Sequence, residues 1–321
     1  MDPACPPAPP PPPGRRTPPA TTGGSGRRKS LKRPEMIAAY LFVVPFFVVF
    51  LAMIVTPLVY SGYLSFFRAQ LIGGTAFVGL ENYTEALGDS NFIDGVLRMV
   101  RFFLIQVPIM LGLATLFALV LDSGRLRLQR FVRLSIFMPY AVPSVIAALM
   151  WGYLYGTDFG PFTQVADIAG LPAPRFLSNE WMLGSIANIV TWGFVGYNMI
   201  ILYAALRSIP TEQYEAARID GASEVRIAWS VKLPAIRPAL LLTLIFSVIG
   251  SFQLFNEPNL LGIIAPNVIG NSYTPNIYAY NLAFVNQEVN YAAAIAFLLG
   301  FVIMIVSYVV QLSAQRRERR S

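Results

Sequence analysis

Histidine is absent from this chain, and cysteine occurs once, at Cys5. Without imidazole, histidine-based zinc sites, Ser-His-Asp triads and histidine proton relays are excluded. A lone cysteine can close no intrachain disulfide, and no apolar run precedes it to make a lipid-attachment signal. No Gly-Lys pair occurs anywhere, so the chain has no phosphate-binding loop of the Gly-x4-Gly-Lys-Ser/Thr type. Charge is also scarce, at 13% of residues, where a soluble domain carries about a quarter. No catalytic residue, metal site or cofactor is therefore expected in this chain.

What is abundant is apolar. Hydrophobic residues make up 55% of the chain and the mean hydropathy is +0.56, as in an integral membrane protein. Six segments are long and apolar enough to cross about 30 Å of hydrocarbon as helices. They lie near 37–59, 102–121, 132–155, 182–206, 239–262 and 290–312. The expected fold is thus all-α, with six transmembrane helices in residues 35–315. The first segment follows Arg27, Arg28, Lys29, Lys32 and Arg33 and lacks a small-residue cleavage site, so it reads as a retained anchor. Residues 1–34, rich in Pro, Gly, Ser and Arg, have almost nothing to bury and read as a disordered tail. Residues 316–321 form a short basic tail.

The net charge is +7, but its placement points to topology rather than to nucleic acid. With the amino terminus inside, all but four of the 24 Lys and Arg residues fall on one side. The exceptions are Arg68, Arg98, Arg101 and Arg175. Both termini and the loop 207–238 are then cytoplasmic. On the outer side, residues 62–95 suit a short interfacial helix, while 156–180 and 263–287 suit ordered turns. Asn82-Tyr83-Thr84 matches a glycosylation sequon, a triplet that also arises by chance.

Two features stand out. One is the polar content of the spans, which is costly in lipid and normally faces a bundle interior or a cavity. Asn188, Thr191 and Trp192 share one helical face of the fourth segment, and Gln253, Asn256 and Glu257 share one in the fifth. Amides, hydroxyls and aromatic rings suit a neutral polyhydroxylated cargo, and packing between helices is the competing use for each of them. Glu257, before Pro258 near the outer end, reads as interfacial first and functional second. The other feature is a polar island, Glu215 to Pro234. It reads as a helix over 211–220, a stop at Gly221, and a second helix capped by Ser223 and ended by Pro234. An amphipathic helix lying on lipid is the plainer alternative, but it accounts for neither the glycine nor the Ala pair.

The island resembles a known element. In the membrane subunits of bacterial ABC importers, a cytoplasmic loop carries Glu-Ala-Ala, three residues, Gly, nine residues, then Ile-x-Leu-Pro. Here Glu215, Ala216 and Ala217 are followed by Gly221, and nine residues later by Val231, Lys232, Leu233 and Pro234, with Val in place of Ile. The stretch from Phe77 to Tyr83 and the pattern Tyr273, Thr274, Tyr278, Tyr280, Phe284 are similar to the carbohydrate branch, the maltose-type and glycerol-phosphate-type permeases. The likeness spans roughly residues 36–315 and implies a type I importer permease fold. It also implies a second permease subunit, two ATPase subunits that bind ATP and Mg, an extracytoplasmic sugar-binding protein, and residence in a bacterial inner membrane. Glu215, Ala216, Ala217, Gly221, Leu233 and Pro234 would then dock the ATPase, and Asn188, Thr191, Trp192, Gln253 and Asn256 would meet a sugar, a disaccharide or oligosaccharide. The alternative is an ATP-independent secondary transporter or channel for a neutral polar solute, which would want coupling charges inside its spans.

Overall fold

The computed structural model describes residues 33–70, 73–124 and 126–318, in two compact units, 1–56 and 57–321. The expected tail, 1–34, lies outside the described residues except for Arg33 and Pro34, which open a helix. The first unit holds α1 (Arg33–Phe50) and a π-helical turn (Leu51–Val55), in which Thr56 N–H and Thr56 Oγ1 both donate to Leu51 O.

In chain order, α2 (Thr56–Ser65) leads into a two-stranded antiparallel hairpin, β1 (Phe67–Gln70) and β2 (Gly74–Phe77), with Phe67 opposite Phe77. Then come α3 (Glu81–Gly88), α4 (Ser90–Asp122), α5 (Gln129–Phe137), α6 (Ser144–Leu154), α7 (Pro161–Ile168) and α8 (Met182–Arg207). The island holds α9 (Thr211–Ile219), α10 (Glu224–Ile227), a π turn (Ala228–Lys232) and α11 (Leu233–Ala235). The last elements are α12 (Arg237–Phe252), α13 (Asn256–Ile264), α14 (Pro275–Tyr280) and α15 (Val289–Glu318).

Among the described residues, five helical runs are long and apolar enough to cross a membrane, or six if a bent pair is counted as one span. That pair is the expected third span. Pro139 lies inside a 3-10 turn, Met138–Ala141, Pro143 precedes α6, and α5 and α6 meet at 97° instead of running straight. The fifth span is interrupted too, at Gln253–Phe255 between α12 and α13. In contrast, α4 begins at Ser90, some three turns before the expected start, so Arg98 and Arg101 lie within a helix rather than in an outer loop.

Helix α4 is the spine. Phe92, Gly95, Met99, Phe102, Gln106, Met110, Ala114, Ala118 and Leu121 are all buried, at intervals of three or four that make one helical face. That face packs on α8 and α12. Ala114 and Ala118 are fully buried one turn apart, small enough to let backbones approach where lipid offers no hydrophobic drive. Gly196 of α8 has a sharper requirement. A Cβ there would lie 2.1 Å from Ile136 O and 2.7 Å from Phe137 Cα, so only glycine lets α8 meet the end of α5. The packed interior has two parts, one around Phe102, Ile186 and Phe252, the other around Ala118, Met199, Leu206 and Ile236.

At the end of the bundle away from the island, the expected interfacial helix is α3, preceded by a hairpin that hydropathy did not suggest. Asn82 holds the two together, donating to Ser65 O at 2.8 Å and Phe67 O at 2.9 Å. It is fully buried, which removes the sequon as an acceptor for a glycan. Arg68 pairs with Glu81, at 3.1 Å, and with Glu85 across the same junction. Arg98 donates to Tyr273 O at 2.7 Å and lies over the Tyr273 ring, fixing the loop before α14.

Candidate functional site

The break in the fifth span borders a cavity in the bundle whose wall carries several polar side chains. Phe255, with φ −139° and ψ −55°, leaves the helical region, which frees backbone groups at both flanking helix ends. One freed carbonyl is satisfied by a side chain, and a second side-chain bond braces the break. Asn276 Nδ2 donates to Phe252 O at 2.9 Å, and Asn256 Nδ2 donates to Ser144 Oγ at 2.9 Å, linking the start of α13 to the start of α6. Irregular backbone at this depth is tolerated where it lines a cavity.

A cavity of about 310 Å³ opens there, walled by α4, α8, α12 and α13. Its polar contributors include Gln106, Asn198, Ser247, Gln253, Asn256 and Glu257, and its rings are Phe194, Tyr197, Phe246 and Phe255. Gln106 Nε2 donates to Thr191 Oγ1 at 3.3 Å, and Asn198 Nδ2 donates to Phe194 O at 3.0 Å, so both buried amides are held in place. Tyr197 stacks on Tyr140 with centroids 4.8 Å apart and planes at 18°, which orients the ring at the wall. Glu257 is buried in the first turn of α13 and lines the cavity rather than facing the interface, against the sequence expectation. It is the one charged-type side chain among the lining residues.

The five residues expected to meet cargo divide into two groups. Gln253 and Asn256 line the cavity. Thr191 reaches it only through its bond to Gln106, while Asn188 donates to Tyr155 OH at 2.8 Å and Trp192 packs edge-on against Trp151. The shared helical face that grouped Asn188, Thr191 and Trp192 is therefore an interhelical face. Sequence reasoning missed Gln106 as a cavity residue, although a glutamine in mid-span was the available signal.

A second site is the island. Helix α9 runs over Thr211–Ile219, and Gly221 takes φ +76°, the left-handed conformation that ends it. Ala222 N–H returns to Ala217 O at 3.0 Å and Gly221 N–H to Arg218 O at 3.0 Å, closing the helix end. Ser223 Oγ accepts from Arg226 N–H and caps α10. Pro234 does not stop the second helix, since α11 ends at Ala235 and α12 opens at Arg237. Glu215 and Ala216 are exposed, Ala217 and the Leu233–Pro234 step are half-buried, and Gly221 is exposed. Burial pushes the Tyr214 phenol above its ordinary pKa, Asp122 adds to this, and Arg207 opposes it.

A multi-pass helical bundle with a bent span, a broken span and a polar cavity between them defines a membrane transport subunit. The chain belongs to the family described as binding-protein-dependent transport system inner membrane component, which matches residues 87–320. It is 30% identical over 297 residues to the lactose transport system permease protein LacF of Rhizobium radiobacter, covering 91% of this chain and 98% of that one. It is 28% identical over 275 residues to the arabinooligosaccharides transport system permease protein AraP of Bacillus subtilis (strain 168), covering 85% of this chain and 87% of that one. Among solved structures, a bacterial ABC transporter involved in import of the acidic polysaccharide alginate superposes with a TM-score of 0.77 at 18% identity. That match covers 87% of this chain and 96% of the other, and supports the type I importer permease fold.

Proposed function

We propose that this chain is the permease subunit of an ATP-driven, binding-protein-dependent importer of a sugar, a disaccharide or oligosaccharide, in a bacterial inner membrane. The observation that carries this reading is the cavity at the α12–α13 break, walled by amides, hydroxyls and aromatic rings. Such a wall binds sugar hydroxyls through groups that donate and accept, and stacks on ring faces, without needing a counter-charge. The relatives named for lactose and arabinooligosaccharides support the same cargo class.

On this reading a second permease subunit completes the pathway, two ATPase subunits bind ATP and Mg, and a binding protein delivers the sugar from outside. The island faces the cytoplasm with both termini. Exposed Glu215 offers a carboxylate to a basic group of the ATPase, the small side chains of Ala216 and Ala217 permit close approach, and Gly221 with Leu233 and Pro234 fixes the loop that presents them. This chain supplies a lever and a cavity; ATP hydrolysis belongs to its partners.

Uptake of radiolabelled lactose and arabino-oligosaccharide into vesicles carrying the whole complex tests the reading. Uptake should require internal ATP and the binding protein. Uptake that proceeds equally without ATP would replace this reading with an ATP-independent transporter.

A further inference from the structure

The island is tied to the bundle by a buried ion pair. Lys232 Nζ lies 2.6 Å from Asp122 Oδ2, and the two side chains are only 8% and 5% exposed. Two charges are costly to take out of water, and the cost is offset only by close, well-directed geometry. The Lys232 ammonium also lies 5.1 Å from the centre of the Tyr214 ring. Tyr214 belongs to α9, immediately before Glu215, so both halves of the helix–turn–helix converge on one charge. A second ion pair, Arg218–Glu224 at 3.1 Å, stays within the loop and is exposed, where such pairs contribute little.

Local backbone geometry aims Lys232 inward. Ile227 and Lys232 are both buried, five residues apart. In a regular α-helix that interval carries the second residue well off the face of the first. Between them the chain takes a π turn, Ala228–Lys232, with Leu233 N–H bonded to Ala228 O. The wider turn keeps both on the inner face, and π turns of this kind recur at functional positions.

Asp122 is the last residue of α4. The same helix carries Met110 into the cavity wall, roughly 18 Å along its axis and on the near side of Pro108. It packs on α8 and α12, two further cavity walls. Displacing the island therefore pulls on α4 through a directional contact, and the proline-free stretch from Asp122 to Met110 carries the displacement to the cavity wall.

We propose that the Lys232–Asp122 pair is the joint that transmits motion of the island to α4 and the cavity, a positioning contact for coupling that rests on the importer reading above. The test uses the full complex in proteoliposomes with Cys5→Ser and Gly250→Cys, since Gly250 lines the cavity and has open space for a side chain. Maleimide labelling of the new thiol is measured with and without ATP and vanadate, alongside ATPase co-purification and hydrolysis. In the parent, ATP and vanadate should change labelling by about fivefold or more. Asp122→Asn should lose that response while the ATPases still bind and hydrolyse ATP. The exchanged pair, Asp122→Lys with Lys232→Asp, should recover it. An apolar pair, Asp122→Leu with Lys232→Met, should pack yet stay unresponsive, and both double variants decide the matter if Asp122→Asn fails to assemble. A full response in the apolar pair, or none in the exchanged pair, overturns the joint. A parent that ignores ATP instead overturns the importer reading, and the joint with it.

Discussion

The Tyr278 hydroxyl donates to Asp89 Oδ2 at 2.5 Å, joining residues 189 positions apart. The same oxygen accepts from Tyr291 OH at 3.0 Å, while Asp89 Oδ1 caps α4 through Asn91 N–H. One carboxylate thus gathers the starts of α4 and α15 against α14. Removing it in Asp89→Ala should lower stability by about 2 kcal/mol, read as an earlier thermal transition of the purified complex in detergent.

Burial and then the bond to Asp89 raise the Tyr278 pKa above its ordinary value of 10.0. A raised phenol contributes its stability fully below the ordinary pKa and loses it as pH rises through the folded value. Stability should therefore fall more steeply above about pH 10 in the unsubstituted protein than in Tyr278→Phe. Equal slopes in thermal scans would remove this linkage.

Gly221 takes a φ of +76°, yet a Cβ added there would meet no atom within 4 Å. Its substitution cost is therefore conformational rather than steric. Gly221→Asn should retain ATPase co-purification and most uptake, while Gly221→Val should lose both at a cost of about 1–2 kcal/mol to the turn. Similar behaviour of the two variants would show that this backbone angle does not control docking.

Gly196 presents the opposite case. Gly196→Ala places a methyl against Ile136 O and Phe137 Cα, both backbone atoms that cannot rotate away. It should destabilise the α5–α8 contact by about 1–3 kcal/mol, seen as reduced yield and a lower melting temperature of the purified complex.

Cargo and packing roles should separate between two asparagines. Asn256→Ala opens the cavity wall and should raise the KM for uptake several-fold, with ATPase association intact. Asn188→Ala breaks the bond to Tyr155 instead and should cost about 1 kcal/mol of stability with KM unchanged. The reverse pattern in vesicle uptake and melting would move the cargo site to the other face of α8.

The island was legible because its signals are local. Gly221 stops a helix by its own backbone freedom, Ser223 caps by its own hydroxyl, and the motif spacing is carried by consecutive residues. The broken fifth span was half legible: Pro258, which has no N–H to offer Leu254 O, marked the region, while Gln253 and Phe255 carry no such signal. The break survives because Asn276, 24 residues on, satisfies the carbonyl of Phe252. The bend of 97° between α5 and α6 was half legible: Pro139 and Pro143 marked the place, while the close approach of α5 to Gly196 on α8 is a contact between distant parts of the chain.

What the sequence determined by itself was the bundle of apolar spans, the polar inventory inside them and the helix–turn–helix with its motif, since hydropathy, helical period and turn chemistry act over short stretches of chain. What only the tertiary structure decided was which polar residues share a cavity and which merely join helices. Asn188 and Asn256 are equally polar in sequence, and they differ only in what α6 and its neighbours bring opposite them. The inward turn of Lys232 onto Asp122 was decided the same way, because a buried charge takes its meaning from a partner that the chain supplies from another helix.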